Sequence, residues 1–317
     1  MSDLMSWAAA IRDAHLRIAP YIHRTPVLTN THLDSRAGAS LFFKCENFQK
    51  VGAFKARGAF NAVMSLDTVS AAAGVVTHSS GNHAAALALA ARMRGIAAHI
   101  VMPSNSPTLK KQAVAGYGGR IVFCEPTLDA RERTAEAVRA ETGATFIHPY
   151  DDNAIIAGQA TAAVELLEEV KGLDTVVCPV GGGGLLAGSA LATKWLQPGA
   201  RVIAAEPAGA DDAWRSFHAR TLIPQSGAKT IADGLLTSLG KRNFAIMQDH
   251  VDAVLTVSEA EIVSAMKMVW QYMKIVVEPS AAVALAAVLS AKLPDADRIG
   301  IILSGGNVDL DHLPWQA

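Results

Sequence analysis

The sequence predicts an α/β protein of two domains built on doubly wound, mostly parallel sheets, and three observations carry that expectation. From Gly74 onward, short apolar runs alternate with segments of helical period, the mark of βαβ units. Those runs are apolar along most of their length, as strands covered on both faces are. The 317 residues also divide into about two units at roughly 150 residues each.

In chain order, MSDLMSWAAAIRDAHLR reads as an amphipathic helix rather than a secretory leader, because it lacks a basic region followed by an apolar core and a cleavage site. GVVTHSS opens the alternating series and precedes a helix from Asn82 to Arg94. AAHIVMP, a helix from Pro107 to Tyr117, RIVFCE and a helix from Asp129 to Thr142 continue it. TFIHP leads to a long helix from about residue 155 to 170. TVVCPV then runs into four glycines and a helix ending near Trp195. RVIAAEP is followed by a stretch from Ala208 to Lys229 without clean period, expected to form loop and short helix, and RIGIILSGG is the last strand. Right-handed crossovers make these strands parallel. Ligands of such sheets collect beyond the carboxyl ends of the strands, which directs attention to Ser79–His83, Gly181–Leu185 and Ser304–Asn307.

Composition excludes several classes. Lys plus Arg number 28 and Asp plus Glu 29, so no basic field exists to attract nucleic acid. The longest apolar candidate, Ala281 to Ala291, is too short for a membrane span, and a cytoplasmic protein is expected. Cys45, Cys124 and Cys178 are odd in number and widely spaced, which suits reduced thiols better than disulfides or a zinc site.

Gly181, Gly182, Gly183 and Gly184 stand between a buried strand and a helix, where backbone N–H groups can close around a phosphate at the positive end of the helix dipole. The same run fits a looser dinucleotide pattern, with Gly182, Gly184 and Ala187 spaced G-x-G-x-x-A and Glu206 ending the next strand, so a nicotinamide-dependent oxidoreductase is a competing reading. Lys55 follows Phe54. An ammonium desolvated there would have a lowered pKa and could form a Schiff base with a carbonyl cofactor. A third reading is a non-catalytic protein that binds cofactor or amino acid.

The strings FQKVGAFKARGAFNAV, HSSGNHAAALA, IAGQAT, PVGGGGLLAG, AAEPAGADDAWRS, TIADG and LSGGN occur in the order found in the pyridoxal-phosphate (PLP) enzymes of the serine/threonine dehydratase and serine racemase family. The chain resembles that family over nearly its whole length. The resemblance implies the tryptophan-synthase β-subunit type of fold, PLP fold type II, with residues 1–48 and 150–317 in a large cofactor-binding domain and 49–149 in a small one. It implies that Lys55 bonds the cofactor, with Phe54 beside the ring, Asn82 at the ring hydroxyl and Ser304 at the pyridine nitrogen. Gly181, Gly182, Gly183, Gly184 and the Leu185 N–H would hold the phosphate. Ser79, Ser80, Gly81, Asn82 and His83 would bind the substrate carboxylate. Glu206, the Ala210 carbonyl and Asp212 would hold a divalent cation, Mg²⁺, Mn²⁺ or Ca²⁺.

The activity so implied is α,β-elimination of a β-hydroxy-α-amino acid (serine, threonine, 3-hydroxyaspartate or phenylserine) to a 2-oxo acid and ammonia, by a homodimer. Racemisation of a serine- or aspartate-type amino acid is the alternative, with Ser80 as a second acid/base opposite Lys55. Val51 and Ala53 stand where family members often carry hydroxyl residues, Ala160 replaces a common glycine, and Tyr150 occupies a position the family varies. These departures point to a larger or more acidic substrate than serine.

Overall fold

The computed structural model describes residues 2–79, 81–106, 108–291, 293 and 296–316, without the side chains of Ser2, Leu109 and Ala291. Its strands are β1 (Val27–Leu28), β2 (Ser40–Cys45), β3 (Val75–His78), β4 (Ala98–Pro103), β5 (Arg120–Cys124), β6 (Thr145–Phe146), β7 (Thr175–Pro179), β8 (Arg201–Pro207), β9 (Ala253–Val257) and β10 (Arg298–Leu303). Its helices are α1 (Ser2–Ile18), α2 (Thr31–Ala37), α3 (Lys55–Ser65), α4 (Thr68–Ala72), α5 (Asn82–Arg94), α6 (Thr108–Gly116), α7 (Leu128–Thr142), α8 (Asn153–Glu169), α9 (Gly184–Leu196), α10 (Asp212–Ala219), α11 (Lys241–His250), α12 (Glu259–Met268) and α13 (Pro279–Ala291).

Two sheets result. One runs β1-β2-β10-β7-β8-β9, parallel except for β1 against β2; the other runs β5-β4-β3-β6 and is parallel throughout. Helices α1, α8, α9 and α11 bury one face of the six-stranded sheet, and α13 with α2 and α12 buries the other. In the second sheet α5 and α7 pack on β3 and β4. Helix α3 lies between the two halves, against α8 on one side and α5 on the other. Its approach to α8 is close because both helices carry glycine at the crossing: a Cβ on Gly158 would sit 2.6 Å from the Gly58 Cα.

Local chemistry sets the helix starts. Asn30 Oδ1 accepts from the His32 and Leu33 amides, Asp152 Oδ1 from Ile155, and Ser258 with Glu261 forms a reciprocal box at α12. The long helix expected at 155–170 therefore begins two residues earlier than its apolar period suggests.

Three strands went unread in the sequence. β2, SLFFKC, carries a charge at Lys44 that interrupts its apolar run, β1 has only two residues, and β9 is a half-buried edge. The expectation that every strand is covered on both faces fails at β5, an edge strand with exposed and half-buried residues only. The stretch TFIHP supplies just the two residues of β6. Cys45 and Cys178 are buried free thiols, and Cys124 is free and half-buried. No helix among the described residues is long and apolar enough to cross a membrane.

Candidate active site

Lys55 opens α3, and its Nζ donates to the Pro149 carbonyl at 2.8 Å. The amine lies 5.2 Å from the centre of the Phe54 ring and 6.0 Å from that of Tyr150. Burial lowers its pKa to about 8 against a smaller upward pull from the Glu278 carboxylate. The segment is fastened to the end of β10, because Phe54 N donates to the Ser304 carbonyl at 3.0 Å and Ala53 bridges Gly305. Ser304 is buried, and Lys55 and Ser304 thus share one place although they lie at opposite ends of the chain.

Asn82 starts α5, directly beyond the end of β3. Its Nδ2 donates to Glu278 Oε1 and Oε2 at 3.1 and 3.2 Å, and its Oδ1 accepts from Asn307 Nδ2 at 2.9 Å. Ser79 is held to β4 through Val101, and its Oγ accepts from Gly81 N at 3.3 Å. A Cβ on Gly81 would meet nothing within 4 Å, so this glycine faces open space. His83 is buried, and both ring nitrogens lack a hydrogen-bond partner among the described residues. Burial, then the Lys55 charge, holds its pKa well below the usual imidazole range, which keeps the ring neutral. Ser80 lies outside the described residues.

The glycine run forms the turn from β7 into α9, with Gly183 left-handed at φ 91°. The first amides of α9, including Leu185, have no partner inside the helix and form its positive end. The four glycines are also demanded by packing. A Cβ would be driven into the Tyr150 ring from Gly182, to 2.8 Å of Leu235 Cα from Gly181, to 2.6 Å of Leu239 Cδ1 from Gly183 and to 2.9 Å of the Tyr150 carbonyl from Gly184. Asn243 Nδ2 braces the turn by donating to the Gly182 carbonyl at 2.7 Å and to the Tyr150 carbonyl at 3.1 Å. Tyr150 therefore lies between Lys55 and the glycine turn.

The acids at the end of β8 and the start of α10 have two functions to weigh. Glu206 accepts from the Ala213 and Trp214 amides at 3.0 and 2.8 Å, one on each oxygen, and so caps α10. Asp212 Oδ2 accepts from Leu239 N at 2.7 Å, while Oδ1 is buried without a partner among the described residues. Burial raises Glu206 to about 8 and Asp212 to about 6. Arg215 pairs with Asp211 instead. Among the described residues no three His, Cys, Asp or Glu side chains gather as a metal cluster; the expected set has two acids and the carbonyl of Ala210, which is buried. An orphaned carboxylate oxygen beside a second buried acid is the donor chemistry a divalent cation takes.

Sequence reasoning missed Glu278 and Asn243, and marked Asn307 only as the end of the stretch Ser304–Asn307, without a role. A signal existed for the first, an acid immediately before a long alanine-rich apolar helix, where a buried charge must find a partner.

A sequence profile described as pyridoxal-phosphate dependent enzyme matches residues 18–305. The chain is 54% identical over 306 residues to a β-hydroxyaspartate dehydratase of Paracoccus denitrificans (strain Pd 1222), covering 96% of each. It is 54% identical over 322 residues to a serine racemase of Arabidopsis thaliana, covering 100% of this chain and 96% of that one. The solved structure of maize serine racemase superposes with a TM-score of 0.94 at 50% identity, covering 96% of this chain and 94% of that one.

Proposed function

The chain belongs to the family of pyridoxal-phosphate dependent enzymes, and on that premise we propose that it dehydrates and deaminates a β-hydroxy-α-amino acid, 3-hydroxyaspartate first among them, to a 2-oxo acid and ammonia. The observation that carries the reading is the Lys55 amine, brought to a pKa of about 8 by burial and set among Phe54, Ser304 and the glycine turn.

These residues fit the cofactor. Lys55 would bond its aldehyde, the amides from Gly181 to Leu185 would hold its phosphate, Asn82 would meet the ring hydroxyl, and Ser304 the pyridine nitrogen. When bound, PLP supplies the electron sink that makes the substrate Cα proton acidic. Ser304 offers that nitrogen a neutral hydroxyl, which does not hold a proton there as a carboxylate would, and so favours elimination over transamination. Lys55 Nζ, with its lowered pKa, is suited to take the Cα proton at mildly alkaline pH. Ser79, Ser80, Gly81, Asn82 and His83 bind the substrate carboxylate in this reading, with the His83 ring kept neutral by burial.

The dehydratase relative favours 3-hydroxyaspartate. Racemisation is the second reading, favoured by the racemase relatives, with Ser80 as the second acid/base. A cation at Glu206, Asp212 and the Ala210 carbonyl, domains of 1–48 with 150–317 and of 49–149, and a homodimer belong to the same proposal. The three free thiols support a reducing, cytoplasmic setting.

The test is a panel of L- and D-serine, threonine, 3-hydroxyaspartate and phenylserine, with 2-oxo acid, ammonia and enantiomer ratio measured for the parent and for Lys55→Ala. The parent turns over 3-hydroxyaspartate fastest, and Lys55→Ala loses both turnover and the visible absorbance of bound PLP. Survival of either in Lys55→Ala overturns the mechanism. Inversion without 2-oxo acid would transfer the assignment to the racemase.

A further inference from the structure

We propose that Glu278 is a positioning residue of this site, one whose carboxylate orients the Asn82 amide and supplies negative charge to Lys55, so that its ionisation governs how firmly the cofactor is held. The proposal deepens the reading above and rests on Asn82 as the ring-hydroxyl contact.

Segments far apart in the chain meet at this carboxylate. Asn82 Nδ2 donates to both of its oxygens, and Asn307 N donates to Oε2 at 3.2 Å. Asn307 Nδ2 closes the circuit by donating to Asn82 Oδ1 at 2.9 Å and to the Val51 carbonyl at 2.7 Å. The Asn82 amide is thereby held at both ends, and only one rotamer sense satisfies donors and acceptors together. Glu278 N donates to the Gly305 carbonyl at 3.0 Å, tying the acid to the segment that carries Ser304.

The surroundings are shaped to admit this network. A Cβ on Gly305 would lie 2.8 Å from Glu278 Oε1, and one on Gly52 would lie 2.6 Å from Asn307 Oδ1. Val51 adopts φ 57°, a left-handed conformation that a β-branched residue resists, and its carbonyl is the one that receives Asn307. Strain of this kind persists where the neighbours over-determine it.

Glu278 is buried, and among the described residues its hydrogen-bond donors are amides, with no salt bridge. The ionisable groups facing it are Asp233 from the turn at Asp233–Leu235, Lys110 from α6, which pairs with Asp233 at 2.5 Å, and Lys55 from α3. Burial, then the Asp233 charge, raises the carboxyl to about 7, with Asn82, Asn307 and Lys110 pulling the other way. A group that only filled space here would be better served by a neutral amide.

The sign of the linkage follows. Because the folded-state pKa exceeds the ordinary value of 4.5, the folded protein keeps a proton that the unfolded chain releases. This group's contribution to stability therefore falls as pH rises from about 4.5 to 7.

The experiment compares the parent, Glu278→Gln and Glu278→Asp, each as apoprotein and loaded with PLP. In the parent the visible band titrates with a midpoint near 7. In Glu278→Gln that titration disappears, PLP dissociation rises about tenfold and kcat falls more than KM changes. Apoprotein melting, followed from pH 5 to 8, declines less in Glu278→Gln than in the parent. Glu278→Asp keeps the charge without the reach, so it retains a titration while holding PLP more weakly. A folded Glu278→Gln with the parent's titration and PLP affinity overturns this proposal and leaves the functional reading standing. A parent with no visible band on addition of PLP overturns both.

Discussion

At Gly182 a single Cβ decides between a turn that closes and one that does not, because the space it would fill is occupied by the Tyr150 ring. Gly182→Ala is expected to cost about 1–3 kcal/mol, the range for forcing an extra carbon into a packed site. In a Tyr150→Ala background the same substitution should cost much less, and urea unfolding of the two single variants and the double variant reads the coupling. Tyr150 itself is neutral at ordinary pH, since burial raises its phenol to about 12. The glycine run was legible in the sequence, but its cause was only half legible. Local spacing raised the expectation of a phosphate cradle, whereas the requirement that each Cβ be absent comes from Tyr150, Leu235, Leu239 and Asn243, none of them neighbours of the glycines in the sequence.

Helix α3 shows how the element that carries Lys55 is anchored. Arg57, two residues after Lys55, is fully buried and donates to Glu46 at 2.7 and 2.8 Å and to Glu165 at 2.8 Å from each terminal nitrogen. Lys44 Nζ completes the cluster at 2.7 Å from Glu165, and Thr25 Oγ1 donates to Glu46 at 2.6 Å. Two positive and two negative groups thus cancel in the core. Removing one charge strands the others, so Glu165→Gln is expected to lose about 3–5 kcal/mol in chemical unfolding, and Lys44→Met combined with it less than the sum. Burial pushes the Glu165 carboxyl up, but the Arg57 hydrogen bond and charge outweigh it and hold the pKa below its ordinary 4.5. Its stabilising contribution is therefore complete above that pH and lost as acid titrates it through the lower folded value. The apolar periods revealed α5, α7, α8 and α9, whereas β2 stayed hidden because its Lys44 reads as a surface charge until Glu165 is placed beside it.

Across the whole molecule, Asn82 beyond β3 is tied through Glu278 and Asn307 to the segment beyond β10, and α3 lies against α5 and α8, which places Lys55, Asn82 and Ser304 together. The acids behind the glycine turn bear on the stability of the entire chain. Burial raises Glu206 to about 8 and Asp212 to about 6, so each makes the fold less stable as pH climbs from the ordinary carboxylate range through its own value. A bound divalent cation would remove that penalty. Mg²⁺ or Mn²⁺ should raise the melting temperature of EDTA-treated protein more at pH 8 than at pH 5.5, and an equal or absent shift at the two pH values would remove the cation from this site.

The sequence by itself determined the α/β class, the order of most strands and helices, and the places where Lys55, Asn82, the glycine turn and Ser304 stand at strand or helix ends. Each of these is written in local period or in a short motif, and local backbone and burial rules read such signals directly. Only the tertiary structure decided that Glu278, Asn307 and Val51 set the direction of Asn82, that Tyr150 lies against the glycines, and that Arg57 and Lys44 are core residues. Those assignments depend on groups distant in the chain satisfying one another's hydrogen bonds and charges. A buried polar side chain has no periodic trace, and its partner is chosen by the fold rather than by its neighbours in sequence.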